Sequence, residues 1–372
     1  MPQLSDHSLV PANIRDLSPY VAGKTIEEVK AAYNPPEISK LASNENRMGC
    51  SSLVRPAVVK ALEEVQDYPD PVAQQLREAL AQQNNVSPEN IIVGAGSESL
   101  IANLCRTFFD DNEHAITADA TFVGFFVQIN IRGVSLKKVP LTSDFRFDLE
   151  AIADAITSET KMVYIANPNN PTGTYVTKTE FERFMHRVPD HVLVVMDEAY
   201  YEYAESVADY PDSLQYDFDN IITLRTFSKA YGLAGFRVGY AIASPKIIGN
   251  MMKTKLTFEP TSLGQEAALA ALQDTAFLRK SNKRVQEGKK RLYTFFEKRN
   301  VSYVPSVANS VLIQLRGEQQ AIDFVQAMLE EGVILRRVHA FGLPRCVRIT
   351  IGRKKEMDHF VHAFGKVKSK IS

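Results

Sequence analysis

The sequence predicts an α/β protein, with a large domain built on a mostly parallel sheet flanked by helices and a smaller α+β domain after it. Three observations carry this. From Leu41 onward short apolar runs alternate with amphipathic stretches, the pattern of strands joined by covering helices. Val192 to Met196 is apolar at all five positions, as a strand buried on both faces requires. The chain has 372 residues, more than one hydrophobic core usually serves, so two lobes are expected.

Residues 1–40 are polar and dotted with Pro11, Pro19, Pro35 and Pro36. They read as an arm with one helix near Thr25–Ala32, packed on a partner subunit or on the mouth of an active site. Residues 41–250 read as the large domain. Its pattern gives helix Val72–Gln83, strand Asn90–Val93, helix Glu98–Phe108 and strands His114–Thr117 and Met162–Ile165. Helix Lys178–Arg187 and strands Val192–Met196 and Ile221–Leu224 follow. Arg237–Ala243 reads as one more strand, with an antiparallel place in the sheet left open. After Pro245 the texture changes, and residues 251–372 read as the small domain. It comprises a long helical stretch from Leu263 to about Lys298, strand Ser310–Leu315, helix Glu318–Glu331, strands Val333–Leu335 and Cys346–Thr350, and helix Lys354–Val367.

Bulk properties narrow the function. Hydrophobic content of 45% and charged content of 23% are ordinary for a globular protein. A net charge of −1 offers no basic field for nucleic acid. No apolar stretch approaches the roughly 18 residues of a membrane span, and MPQLSDHSLVPANIRDLSPY has no apolar signal core. Cys50, Cys105 and Cys346 are far apart and odd in number, which fits a reducing compartment, so a cytoplasmic protein is expected. None of the seven histidines stands at metal-ligand spacing from a cysteine or carboxylate, so no metal site is expected.

The chemistry is concentrated in four places. Lys229 closes Thr226-Phe-Ser228-Lys229, and Arg237 follows eight residues on. Asp197 and Tyr200 lie in Asp197-Glu-Ala-Tyr200, straight after the apolar run. Asn170 sits in Asn167-Pro-Asn-Asn170-Pro-Thr-Gly173, a turn shaped by two prolines, a glycine and three asparagines. Gly94-Ala-Gly96-Ser97-Glu98-Ser99 is a glycine turn opening a helix. Together they answer the needs of pyridoxal phosphate: a lysine amine to hold it, an acid for its ring nitrogen and an anion site for its phosphate. Lys229 supplies the amine, and Asp197, at the carboxyl end of a buried strand, supplies the acid. Thr226, Ser228 and Arg237 read as a phosphate cup, since a guanidinium fork suits phosphate oxygens. Ser97 and the backbone N–H of Glu98 add the start of a helix, where anions are favoured. Asn170 reaches the ring hydroxyl oxygen, shared with Tyr200, and Phe122 is a candidate to stack on the ring.

This ordered set resembles the aspartate aminotransferase-type, fold type I pyridoxal phosphate enzymes, and most closely their histidinol-phosphate aminotransferase branch. The resemblance runs from Leu17-Ser-Pro-Tyr20 and Lys40-Leu-Ala-Ser-Asn44 through Tyr68-Pro-Asp70, SKAYGLAGFRVGY and Val333-Ile-Leu-Arg336 to Cys346-Val-Arg348-Ile-Thr-Ile-Gly352. It implies a seven-stranded large sheet and transamination of L-histidinol phosphate with 2-oxoglutarate, which leaves as glutamate. It implies that Arg348 and Arg336 take the substrate phosphate and that Tyr20 and Asn44 line the substrate pocket. It further implies that Tyr68 reaches the cofactor phosphate of the other subunit of a homodimer.

Two departures bear on the substrate. The start reads Asn44-Glu-Asn-Arg47-Met-Gly-Cys50, without the prolines usual in the family. Phe122, Phe125 and Phe126 form an aromatic cluster expected to make the pocket more apolar, which favours an aromatic amino acid aminotransferase as the alternative. A threonine-phosphate decarboxylase-like enzyme shares much of the framework, but the RITIG block speaks against it. A non-catalytic cofactor sensor would carry a DNA-binding domain, and the first 40 residues hold no basic helix-turn-helix pattern.

Overall fold

The structure, a computed structural model, describes residues 9–15, 17 and 23–367. In chain order its strands are β1 Ser39–Lys40, β2 Ile91–Gly94, β3 His114–Ala118, β4 Ser135–Val139, β5 Thr160–Ala166, β6 Leu193–Asp197 and β7 Ile221–Thr226. They continue with β8 Gly239–Ala243, β9 Tyr303–Val304, β10 Ser310–Gln314, β11 Val333–Ile334, β12 Arg336–Arg337 and β13 Cys346–Thr350.

The large sheet has seven strands in the order β2-β8-β7-β6-β5-β3-β4. Only β8 is antiparallel to its neighbours. The antiparallel strand matters for the site. Parallel strands bring their carboxyl ends to one edge of the sheet. At that edge β8 begins rather than ends, so Arg237, just ahead of Gly239, arrives beside Thr226 at the end of β7.

Every residue of β6 is buried, as its apolar run requires. Along β2 and β8 successive side chains serve opposite faces. Ile92, Ala241 and Ala243 join the core with helices Ser97–Phe108 and Val123–Arg132. Ile91, Val93, Tyr240 and Ile242 join the core with helices Gln74–Asn84 and Ser262–Leu272. The seventh strand, β4, escapes a search for apolar runs. Its sequence, Ser-Leu-Lys-Lys-Val, is mostly exposed at the sheet edge, where lysines discourage pairing with other chains.

The second lobe holds the antiparallel sheet β12-β13-β10-β9. Its core contains Val311, Ile313, Val347 and Ile349 with Phe324, Phe360 and Phe364 from helices Glu318–Glu330 and Lys354–Val367.

One expectation needs correcting. The stretch read as one helix from Leu263 is two, Ser262–Leu272 and Thr275–Glu297. The break falls at Asp274, whose carboxylate accepts from Phe277 N–H at 2.9 Å and from Ser51 Oγ at 2.6 Å. That cap starts a new helix, and the first helix packs on the large sheet through Ala267 and Ala271. Parts of the described arm pack on the chain's own lobes, with Asn13 Nδ2 donating to Asn130 O at 3.2 Å. Its helix Ile26–Tyr33, opened by a Thr25–Glu28 capping box, buries Val29 against Leu329 and Ile334 of its own second lobe. β1 then pairs in parallel with β11.

Candidate active site

The carboxyl edge of the large sheet and the face of the second lobe enclose a cavity of about 230 Å³. Ser97, Glu98, Phe122, Asn170, Asp197, Tyr200, Thr226, Ser228, Lys229, Arg237, Arg336 and Arg348 all line it. Residues as far apart in sequence as Ser97 and Arg348 thus meet in one place. Tyr20 lies outside the described residues. Asn44 stands one layer back: its Nδ2 donates to Tyr200 Oη at 2.9 Å. Tyr68 is 80% exposed and stacks on Phe258 at 4.3 Å, away from the cavity.

Asp197 is buried, and its carboxylate accepts from Tyr164 Oη at 2.6 Å and from Ala199 N–H at 3.1 Å. Burial pushes its pKa above the ordinary carboxylate range, opposed by the Tyr164 and Ala199 hydrogen bonds and by the Lys229 charge. A buried carboxylate in this state favours a cationic hydrogen-bond donor as partner. Lys229 Nζ donates to Ser43 O at 3.5 Å and lies 5.7 Å from the centre of the Tyr200 ring.

The residues expected to form a phosphate cup close on bare backbone. A Cβ on Gly96 would stand 2.6 Å from Arg237 Nη2, and one on Gly239 would stand 2.5 Å from Ser97 N. Helix Ser97–Phe108 has no side-chain cap, so its first N–H groups face outward without one. Arg237 Nη1 donates to Ser228 Oγ at 3.3 Å, and Arg237 itself holds a left-handed φ of 54°. A non-glycine residue in that region is strained by about 1 kcal/mol. Close glycines, a guanidinium, two hydroxyls and a helix start fit a phosphate, and Asp197 fits a pyridinium nitrogen, so these residues fit pyridoxal phosphate.

The asparagine-rich turn is held rigidly. Asn169 Nδ2 donates to Ala120 O at 3.0 Å, and Asn167 Oδ1 accepts from Val176 N–H at 3.0 Å. Asn170 Oδ1 accepts from Arg348 Nη1, and Arg348 Nη2 donates to Ala42 O at 2.7 Å. Val307 N–H donates to Gly173 O at 2.8 Å, which ties the second lobe to the same turn.

The expected aromatic lining is corrected in part. Only Phe122 of the three phenylalanines lines the cavity, its ring passing over Gly124, where a Cβ would stand 2.5 Å from it. Phe125 is fully buried and stacks on Tyr164 at 4.2 Å. Phe126 carries Lys138 Nζ 4.1 Å from its ring centre. Two residues escape the sequence reading. Tyr164 had a signal, since it is the one hydroxyl-bearing residue in Met162-Val-Tyr-Ile165 and a buried tyrosine needs a partner. Phe341, which lines the cavity, gives no signal beyond the Gly-Leu-Pro turn after it.

Behind Tyr200 lies Glu202, whose carboxyl burial pushes up to about 8. The nearby Arg225 directs its hydrogen bonds to Glu198 at 2.8 Å and Asp212 at 2.7 Å instead. With a folded pKa above the ordinary 4.5, the folded state holds a proton the unfolded state has lost between these values. Glu202 therefore lowers stability progressively as pH rises from 4.5 to about 8. Glu202→Gln removes this slope. Urea unfolding should find the variant gaining about 2 kcal/mol or more on the parent between mildly acidic and mildly alkaline buffer.

Among the described residues no group of histidine, cysteine, aspartate and glutamate could hold a metal ion. No described helix is long and apolar enough to cross a membrane.

Comparison with known proteins agrees with this geometry. The profile of "Aminotransferase class I and II" matches residues 36–364. Histidinol-phosphate aminotransferase of Geobacillus sp. (strain WCH70) is 44% identical over 356 residues, covering 95% of this chain and 96% of the relative. That of Bacillus subtilis (strain 168) is 39% identical over 360 residues, covering 96% and 99%. The crystal structure of histidinol-phosphate aminotransferase from Sinorhizobium meliloti, in complex with pyridoxal-5'-phosphate, superposes with a TM-score of 0.89 at 29% identity, covering 97% of this chain and 98% of that one. Thermus thermophilus aspartate aminotransferase shares the fold, with a TM-score of 0.84 at 22% identity over 96% of this chain and 99% of that one. With a fold type I architecture and a family match over most of its length, the chain belongs to the class I and II aminotransferases.

Proposed function

We propose that this protein uses pyridoxal phosphate to move the amino group of L-histidinol phosphate to 2-oxoglutarate, yielding imidazole acetol phosphate and L-glutamate. The observation that carries the reading is one cavity lined at once by Lys229, Asp197, the phosphate cup and two arginines. When bound, the cofactor supplies an electron sink for the carbon that bears the amine.

The chain's own residues do the rest. Ser97, Thr226, Ser228, Arg237 and the Glu98 N–H hold the cofactor phosphate. Asp197 keeps the ring nitrogen protonated, Asn170 and Tyr200 hold the ring hydroxyl oxygen, and Phe122 lies on the ring face. Lys229 Nζ would hold the cofactor at rest, and, freed by the incoming amine, would take the proton from the α-carbon and return it to the cofactor carbon that keeps the amino group. Arg336 and Arg348 take the substrate phosphate, since histidinol phosphate has no carboxylate. Asn44 acts through Tyr200, whose hydroxyl it holds.

A homodimer accords with the surface. Leu53, Val59, Leu62, Val65, Leu256 and Phe258 are large apolar side chains exposed near Tyr68 in sequence or beside it in space. In the dimer Tyr68 reaches the cofactor phosphate of the partner subunit. A cytoplasmic location accords with three free cysteines. The aromatic aminotransferase reading loses its support, because Phe125 and Phe126 face away from the cavity.

The test is a half-reaction. Loaded protein is mixed with L-histidinol phosphate without keto acid, and pyridoxamine phosphate is followed, with phenylalanine run in parallel. Histidinol phosphate should react with a kcat/KM higher by about 10²-fold or more. A faster reaction with phenylalanine overturns the reading.

A further inference from the structure

Arg336 on β12 and Arg348 on β13 stand directly opposite each other in the antiparallel register, and both line the cavity. Opposite residues share one face of a sheet, with Cβ atoms about 4.5–5.5 Å apart, and like charges so placed destabilise the pairing. Two guanidinia held this way repel, and each has partners of its own, Arg348 donating to Asn170 Oδ1 and to Ala42 O.

What lies beside both is Phe341. Its ring centre is 5.6 Å from Arg348 Cζ and 5.9 Å from Arg336 Cζ, within reach of a ring face for a cation. The ring is fixed from two directions. Below, it packs with Leu312, Val338 and Cys346 and with Phe122. Beside it, Gly342 at φ 95° closes the turn, and a Cβ there would stand 2.3 Å from Asp119 O of the large lobe. Phe341 therefore touches the arginine pair and the ring platform together, at the seam between lobes.

We propose that Phe341 is a specificity-determining residue, whose ring face sets the spacing of the two guanidinia so that one tetrahedral dianion bridges both. A carboxylate has two oxygens and is satisfied by one guanidinium in a bidentate pair. A phosphate monoester has three free oxygens and nearly two charges, and it can engage both arginines at once. The ring thus selects for a phosphate-bearing amino donor over one whose only acid group is a carboxylate. This deepens the function proposed above and rests on it.

The experiment uses pyridoxal phosphate-loaded protein, in which the cofactor's own phosphate fills the cup. Inorganic phosphate and acetate are titrated by calorimetry into the parent, Phe341→Leu and Phe341→Tyr. KM and kcat for L-histidinol phosphate are measured on the same samples. Leucine keeps apolar volume but removes the ring face. Phe341→Leu should weaken phosphate binding about tenfold, the loss of a partly desolvated cation–ring contact, while acetate binding changes less than about threefold. KM should rise more than kcat falls. Phe341→Tyr, which keeps the ring, should stay within about threefold of the parent for both anions. Equal losses for the two anions, or unchanged phosphate affinity in Phe341→Leu, overturn the proposal. A parent that binds phosphate in this pattern yet fails to turn over histidinol phosphate overturns the function proposed above and leaves the arginine–phenylalanine device standing.

Discussion

Lys229→Ala should abolish turnover, lowering the rate of the half-reaction by about 10⁴-fold or more, because one change removes both the covalent tether and the group that moves the α-proton. The variant should still fold. Among the described residues the Lys229 side chain makes one long hydrogen bond, to Ser43 O at 3.5 Å, and it lines a cavity rather than filling a core. Its melting temperature should therefore lie close to that of the parent. Borohydride treatment of the loaded proteins separates the roles. In the parent, reduction should fix the cofactor mass on the peptide containing Lys229. In the variant the cofactor should remain bound through the phosphate cup yet leave on denaturation. Normal turnover by Lys229→Ala sinks the assignment of this cavity as the active site.

Asp197→Asn should lower kcat by about 10²- to 10³-fold, the usual loss when one preorganised charge is taken from a reacting centre. Its effect on stability should run the other way. The folded pKa of Asp197 is raised above its ordinary 3.8 by burial, so keeping it ionised destabilises the folded protein at neutral pH. Asparagine has nearly the same shape, and its oxygen can still accept from Ala199 N–H. Cofactor-free Asp197→Asn should then melt higher than the cofactor-free parent at neutral pH. The advantage should shrink as pH falls through the folded pKa and vanish below the ordinary aspartate range, where both states hold the proton. A variant that loses activity and also melts lower at neutral pH would show that Asp197 has a structural role in place of the proposed one.

The parts of the fold that could be read from sequence are those whose burial is complete and local. β6 announces itself because both faces are covered and every residue is apolar. The Asn167–Gly173 turn is legible because its shape is written in residues with restricted or special backbones. What was illegible depends on distant partners. β4 is a strand only because β3 runs beside it. The break at Asp274 depends on Ser51, far away in sequence, as well as on local capping. Phe125 looked like a pocket residue because it neighbours Phe122. Phe122 is the extended residue ahead of the helix, whereas Phe125 lies within it, and its ring stacks on Tyr164, so that it braces the tyrosine that holds Asp197. Phe341 reaches the site on the short helical turn His339–Phe341 between β12 and β13, packed with Leu312, Val338 and Cys346, a placement that no local pattern encodes.

The joints between the lobes have a consequence for how the molecule melts. Arg348 to Asn170, Val307 to Gly173 and Asn309 Nδ2 to Asn44 O at 2.9 Å are rivets, each with one end on a loop at the rim of the cavity. Ser306, beside the second rivet, gives its carbonyl to Lys289 Nζ at 2.8 Å, a lysine only 3% exposed. If the second lobe melts first, its loops leave Asn170 and Tyr200 unsupported and the cavity opens. The yellow of the loaded enzyme is thus a thermometer placed in one lobe that reads the temperature at which the other lets go.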